Sequence, residues 1–276
     1  MSIGNIPTSY SVQSSLTSLA NIAQQLQKTE QALSTGQSVN SPSDNATAFN
    51  AAQGFLQQAN NLSGLKDNLA TSLTTVNAAT NSISNVNQVV QQLQGITTEA
   101  SNTTDTAVRA GLASQFNALL PQLDQLVNDA TFNGTNLLNS TSNNLVVNFN
   151  ASNTAGLTIS GVNITSSGLN IAPAANGFAT QADINAADSQ LLNAQSTLTT
   201  NADSLNNNAS LIQTNQDFTS NLINNLQTAS DNLTIADPNQ EAANLLALQA
   251  QNQLGVVSLS ISGQQAQSIL KLFSNT

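Results

Sequence analysis

Cysteine and histidine are both absent from this chain, and only four basic residues occur in its 276: Lys28, Lys66, Arg109 and Lys271. Without cysteine there are no disulfides, no thiolate nucleophile and no cysteine metal site. Without histidine as well, His-based triads and zinc centres of the usual kinds are out of reach. Four bases against fourteen acids leave a net charge of -10. That argues against nucleic acid, whose phosphates need clustered Lys and Arg, and against an anionic membrane surface. Charged residues are only 7% of the chain, against about 25% in a typical soluble protein. Helices here must therefore be held by packing rather than by ion pairs. No run approaches the ~20 apolar residues of a membrane span. The opening MSIGNIPTSYSVQ has neither the basic nor the apolar region of a cleaved secretory signal. The expectation is a protein that stays inside, or leaves by a route that reads something else.

What the chain does have is heptads. Val12, Leu16, Leu19, Ala23, Leu26, Glu30 and Leu33 step by fours and threes, the spacing of a helix that packs along its length against other helices. Gly36 offers a stop. The pattern restarts over residues 46 to 98, through Leu62, Leu65, Leu69, Leu73, Val76, Ile83, Val86, Val90 and Leu93. SNTTDT (101 to 106) predicts a break. A shorter helix is expected over about 107 to 130, with Pro121 as a kink or weak point. At TFNGTNLLN the texture changes. Asn133-Gly134 is a turn signal, and NLVVNFNAS and AGLTISGVNIT predict two or three strands in hairpins, ending near 172.

Heptads return from about 181 to 233, with Asn201, Asn208 and Asn215 in the seam. A buried Asn can set register, but in so Asn-rich a chain a loose seam is the simpler reading. Asp237-Pro238 interrupts. A last helix from about Gln240 carries Leu245, Leu248, Asn252, Gly255, Leu259, Ser262, Ala266, Ile269 and Phe273 as its seam. The expected fold is mainly α: a long antiparallel coiled-coil helical bundle with a small β-hairpin region in the middle of the chain. Five segments follow: arms at 1–36 and 237–276, a spoke and first bundle half at 37–130, the hairpin region at 131–180, and the second bundle half at 181–236. Reversal at the hairpin region brings the two arms together, and their apolar seams then need partners.

The carboxylates that fall close in sequence are Asp183 with Asp188, Asp124 with Asp129, and Asp237 with Glu241. The last of these favours a helix N-terminus electrostatically rather than acting as a paired acid. No phosphate-binding glycine motif is present. No catalytic residue, cofactor site or metal site is expected.

Three segments carry a resemblance. LSTGQSVNSPSDNATAF (33 to 49) resembles the bacterial flagellin segment that follows the first helix, at Leu33, Ser34, Gly36, Val39, Asn40, Ser41, Asp44 and Ala46. TFNGTNLL resembles the Phe-Asn-Gly turn into the flagellin hairpin, at Phe132, Asn133, Gly134 and Leu138. The ending resembles the flagellin C-terminus at Leu248-Gln249, Gln253-Leu254-Gly255 and Gln267-Ser268-Ile269-Leu270. The three occur in the right order across nearly the whole chain.

The resemblance implies a structural subunit that polymerises with itself into the extracellular flagellar filament for swimming. The alternatives are a hook–filament junction (hook-associated) protein or a secreted coiled-coil adhesin or adaptor. It further implies arms that order into an inner tube on polymerisation, export through the flagellar type III export apparatus, an export chaperone, and encounters with cap and hook-associated proteins. The interface residues it points to are Leu16, Leu19, Ala23, Leu26, Leu33, Leu248, Gly255, Leu259, Ala266, Ile269, Leu270 and Phe273. Asn40, Ser41 and Asp44 form the spoke. Short length implies that large outer variable domains are absent. Residues 87 to 101 match the place where many flagellins carry an Arg-rich helix read by the innate flagellin receptor. Gln92, Gln94 and Gly95 stand there instead, so weak or no recognition is expected.

Overall fold

The computed structural model describes residues 10–274. Five α-helices and one two-stranded sheet occur among them: α1 Tyr10–Thr35, α2 Ala46–Asn102, α3 Thr106–Asp129, β1 Asn144–Asn148, β2 Gly156–Ser160, α4 Gln181–Thr234 and α5 Pro238–Ser274. Two compact units result. A central unit spans Ala59–Asn224, and a terminal unit combines the chain up to Gln58 with the chain from Asn225 onward.

Helix boundaries follow local chemistry. α1 stops where Gly36 takes a positive φ of 71°, a left-handed conformation that costs glycine nothing. Asn45 starts α2 by accepting the Ala48 N–H at 3.1 Å. The expected break falls between Asn102 and Thr106, where the Asp105 carboxylate accepts from Ala107 N (2.8 Å) and Val108 N (3.4 Å) as the N-cap of α3. Asp237 does the same for α5 at Asn239 N, 2.9 Å, with Pro238 as first helical residue, a position that needs no N–H. Thr180 and Asp183 close α4 as a capping box: Thr180 N and Oγ1 donate to Asp183 Oδ2 at 3.0 and 2.6 Å, and Asp183 N donates back to Thr180 Oγ1 at 3.2 Å. The neighbouring carboxylates are thus spent separately, Asp183 on this cap and Asp188 on Thr97 at 3.4 Å.

Pro121 does not interrupt α3, which runs through it. Both Pro121 and Asn117 are exposed, so the carbonyl that loses its donor is left on the solvent side, where it costs little.

The central core draws on every element of its unit: Leu69, Val76, Val90 and Leu93 of α2, Phe116, Leu123 and Val127 of α3, Val147 and Ile159 of the hairpin, and Ile184, Leu191, Leu198, Leu205 and Ile212 of α4. Asn133 and Gly134 both have positive φ. Phe132 and Thr135 exchange two 2.9 Å backbone hydrogen bonds around them. This is a tight two-residue turn of the kind Asn-Gly favours. β1 and β2 pair antiparallel, Leu145 with Ile159 and Val147 with Leu157, so one face meets the core. A third stretch lies alongside without becoming a strand: Val162 N and Ile164 N each donate at 2.8 Å to Leu137 O and Leu138 O. Phe178 is fully buried with a φ of 58°, a strained state for a bulky residue. Its ring is held edge-to-face on Phe116, centroids 5.4 Å apart. The only arginine, Arg109, is buried in neutral company: its Nε donates to Ala100 O (3.1 Å) and Thr103 O (2.8 Å), Nη2 to Gln181 Oε1 (3.0 Å).

Of the three seam asparagines, all half-buried, Asn215 turns its amide back to Leu211 O of its own helix at 2.9 Å. That favours the loose seam over register selection.

Candidate subunit interface

The terminal unit pairs α1 with α5, antiparallel. Leu19 faces Gly255, while residues 25–32 of α1 share a groove with 241–251 of α5. On α1 the covered face is Val12, Ser15, Leu19, Ile22, Leu26, Thr29 and Ala32. This stripe is rotated from the heptad frame of the sequence: Val12, Leu19 and Leu26 lie in it, while Leu16, Ala23, Glu30 and Leu33 are exposed. The frame drifted because Ile22, Thr29 and Ala32 are as suited to the contact as the residues counted instead. On α5 the covered face is Leu245, Leu248, Asn252, Gly255, Leu259 and Ser262, the same seam that the spacing predicts. The side chains of Ala266, Ile269, Leu270 and Phe273 lie outside the described residues.

Gly255 sets how closely the helices approach. A β-carbon there would lie 2.7 Å from Leu19 Cδ2, inside van der Waals contact.

α5 has a second apolar face that the single-seam reading missed. Leu246, Leu254, Val257 and Ile261 are bare, Leu254 at 69% exposure and Leu246 at 68%. At about 100° per residue they lie roughly half a turn around the helix from Leu248, Gly255 and Leu259. The signal was in the sequence: a second set of threes and fours, 246, 250, 254, 257, 261, running beside the first. Among the described residues α1 has no such opposite face; its back carries Thr17, Asn21, Gln24 and Gln31. α1 is one-sided and α5 is two-sided.

The connectors at the base of the arms are tied to each other. Thr234 O accepts from Ser38 N (2.7 Å) and Val39 N (3.3 Å), and Ala236 N donates to Gly36 O (3.0 Å). Ser38 Oγ adds bonds to Thr234 O and Ile235 O, each 3.3 Å. Asp44 organises the segment between α1 and α2, accepting from Ser41 Oγ (2.9 Å), Ser41 N (3.0 Å) and Asn40 N (3.2 Å). Lys28 stands 4.0 Å away. The Ser41 hydroxyl foremost, then these backbone amides and Lys28, hold the Asp44 carboxyl below its usual pKa against the opposing cost of burial.

Among the described residues no three metal-binding side chains gather, and no helix is long and apolar enough to cross a membrane. Paired terminal helices, one of them apolar on opposite faces, define a coiled-coil structural subunit. The chain belongs to the bacterial flagellins: the family's N-terminal helical region matches residues 6–143. It is 28% identical to flagellin FljN of Caulobacter vibrioides, over 99% of this chain and all of that one. It is also 28% identical to a flagellin of Brucella melitensis, over 98% and 99%. A Bacillus cereus flagellin crystal structure superposes with a TM-score of 0.48 at 13% identity, covering 55% of this chain and 88% of that one. The protein is a structural subunit of the flagellar filament, serving motility, and it self-polymerises outside the cell.

Proposed function

We propose that the copy-to-copy contact of the polymer is built on the two-sided helix. α5 uses Leu248, Gly255 and Leu259 for its own α1, and offers Leu246, Leu254, Val257 and Ile261 to other copies. α1 adds Leu16, Ala23 and Leu33 from its exposed flank. The proposed continuation along α5 is Ala266, Ile269, Leu270 and Phe273. The single observation that carries this is the bare apolar face opposite the covered one. Fully burying one Val, Leu or Ile side chain is worth roughly 1.5–3 kcal/mol, and several per copy offset the cost of ordering two arms only when neighbours add contacts laterally. The residue segments 1–36 and 237–276 then act as the inner tube, and Asn40, Ser41 and Asp44 as the spoke at its base.

Before assembly the same face needs cover. This supports an export chaperone on α5 and passage through the type III export apparatus, followed by encounters with hook-associated and cap proteins. Electron microscopy of Val257→Asn/Ile261→Asn protein after nucleation tests the contact. Short particles or none are expected, with the central unit melting as in the parent. Parent-like filaments would refute it.

A further inference from the structure

The chain has two Asn-Gly bonds, Asn133-Gly134 and Asn176-Gly177. Such bonds are chemically special because glycine has no side chain to shield its nitrogen from the preceding side-chain carbonyl. Both asparagines are exposed and both have a φ of 48°, so exposure and backbone φ do not separate them. Their side-chain amides do. Asn176 Nδ2 donates to Asp183 Oδ1 at 3.2 Å, and Asp183 is itself fastened by Thr180 in the cap of α4. Donation to a carboxylate pushes electron density into the amide, makes its carbonyl carbon less electrophilic, and pins the side chain. No side-chain hydrogen bond engages Asn133 among the described residues; a β-carbon would meet nothing within 4 Å at either Gly134 or Gly177, so open space does not separate the two bonds.

We infer that Asn133 is a site of spontaneous modification, an ageing mark at the turn into the hairpin, and that the α4 cap protects Asn176 from the same fate. The Gly134 nitrogen attacks the Asn133 side-chain carbonyl carbon and gives up its proton. The bond from that carbon to Nδ2 breaks, Nδ2 takes the proton, and ammonia leaves. Water, the only co-reactant, then opens the cyclic imide at either carbonyl, yielding aspartate or isoaspartate. Either product adds one negative charge. Isoaspartate also lengthens the main chain by one carbon inside a two-residue turn, which breaks the Phe132–Thr135 hydrogen-bonded pair.

Purified full-length protein is held in warm, mildly alkaline buffer, and peptides covering the two bonds are followed by mass spectrometry with isoaspartyl methyltransferase labelling. Position 133 is expected to convert several-fold faster than 176. In denaturing urea the two rates are expected to converge, because the difference belongs to the fold. Asp183→Ser, which retains a capping side chain, is expected to bring 176 close to the rate of 133. Equal rates in the folded parent, a difference that persists in urea, or no acceleration at 176 in well-folded Asp183→Ser protein each overturns the inference.

Discussion

Gly255 lies where a β-carbon would sit 2.7 Å from the end of Leu19. The obstructing atom is the tip of a flexible side chain, so Gly255→Ala is expected to be tolerated, with Leu19 turning aside and the better helix propensity of alanine in compensation. Gly255→Leu cannot be absorbed that way. Overpacking of this kind costs about 1–3 kcal/mol, here spent on the α1–α5 pairing. Thermal melts and filament yield check both variants, and equal behaviour of the two would contradict the close-approach reading. Asp44 is held as the carboxylate by its donors. Its folded pKa is lowered by Ser41 and the flanking amides, so its contribution is present above the ordinary carboxylate pKa and is lost as pH falls through the lowered folded value. Asp183 has the same sign through Thr180. Asp44→Asn is therefore expected to flatten the acid-side loss of terminal-unit stability, read as the melting temperature across that pH window. Gly255 and Asp44 were both visible in the sequence, one in a seam and one in a motif. The distance to Leu19 and the hub of donors around Asp44 were not, because each depends on which residue the fold brings opposite.

At the scale of elements, the long helices were legible because strict spacing over many turns leaves few alternatives. Their ends were legible because Gly36, Asp105 and Asp237-Pro238 are local signals. The face of α1 was not: Ser15 and Thr29 fill a covered stripe without looking hydrophobic, Ile22 and Ala32 fall outside the counted heptad positions, and only the position of α5 tells which side is covered. The two-sidedness of α5 was readable and was overlooked because one seam sufficed to explain a helix. Removing residues 256 to 276 takes Val256, Val257, Leu259 and Ile261 from both faces at once. The truncated chain is expected to keep its central unit and to fail to form filaments, by electron microscopy and sedimentation. Leu123→Ala makes the opposite cut. Leu123 is fully buried, so about 2–5 kcal/mol of central-unit stability is expected to be lost, seen in a denaturant melt.

For the whole molecule, charge and composition set the conditions of assembly. Each copy carries -10, and stacking copies concentrates like charge that four bases cannot neutralise. Exposed charges are screened beyond about 8 Å at physiological salt. The critical concentration for polymerisation is therefore expected to fall as sodium chloride rises, measured by light scattering; independence of salt would mean that the apolar faces outweigh repulsion throughout. Gln92 and Gly95 are exposed on α2 and Gln94 is half-buried, so these positions present amide and backbone rather than charge. A receptor-reporter assay with purified protein is expected to give weak or no response.

The sequence by itself determined that cysteine and histidine chemistry is unavailable, that helices dominate, where most of them start and stop, that Asn133-Gly134 turns, and which family the chain resembles. Those are properties of composition and of short-range spacing, and they survive any arrangement of the parts. Only the tertiary structure decided which stripe of α1 is covered, that the two connectors are tied through Thr234, that Arg109 lies buried among carbonyls, and that α5 keeps one apolar face for its own chain and leaves the opposite one bare. Those are pairings between residues that can lie more than two hundred positions apart, as Leu19 and Gly255 do. A one-dimensional pattern records that a side chain is apolar, but not which partner reaches it first.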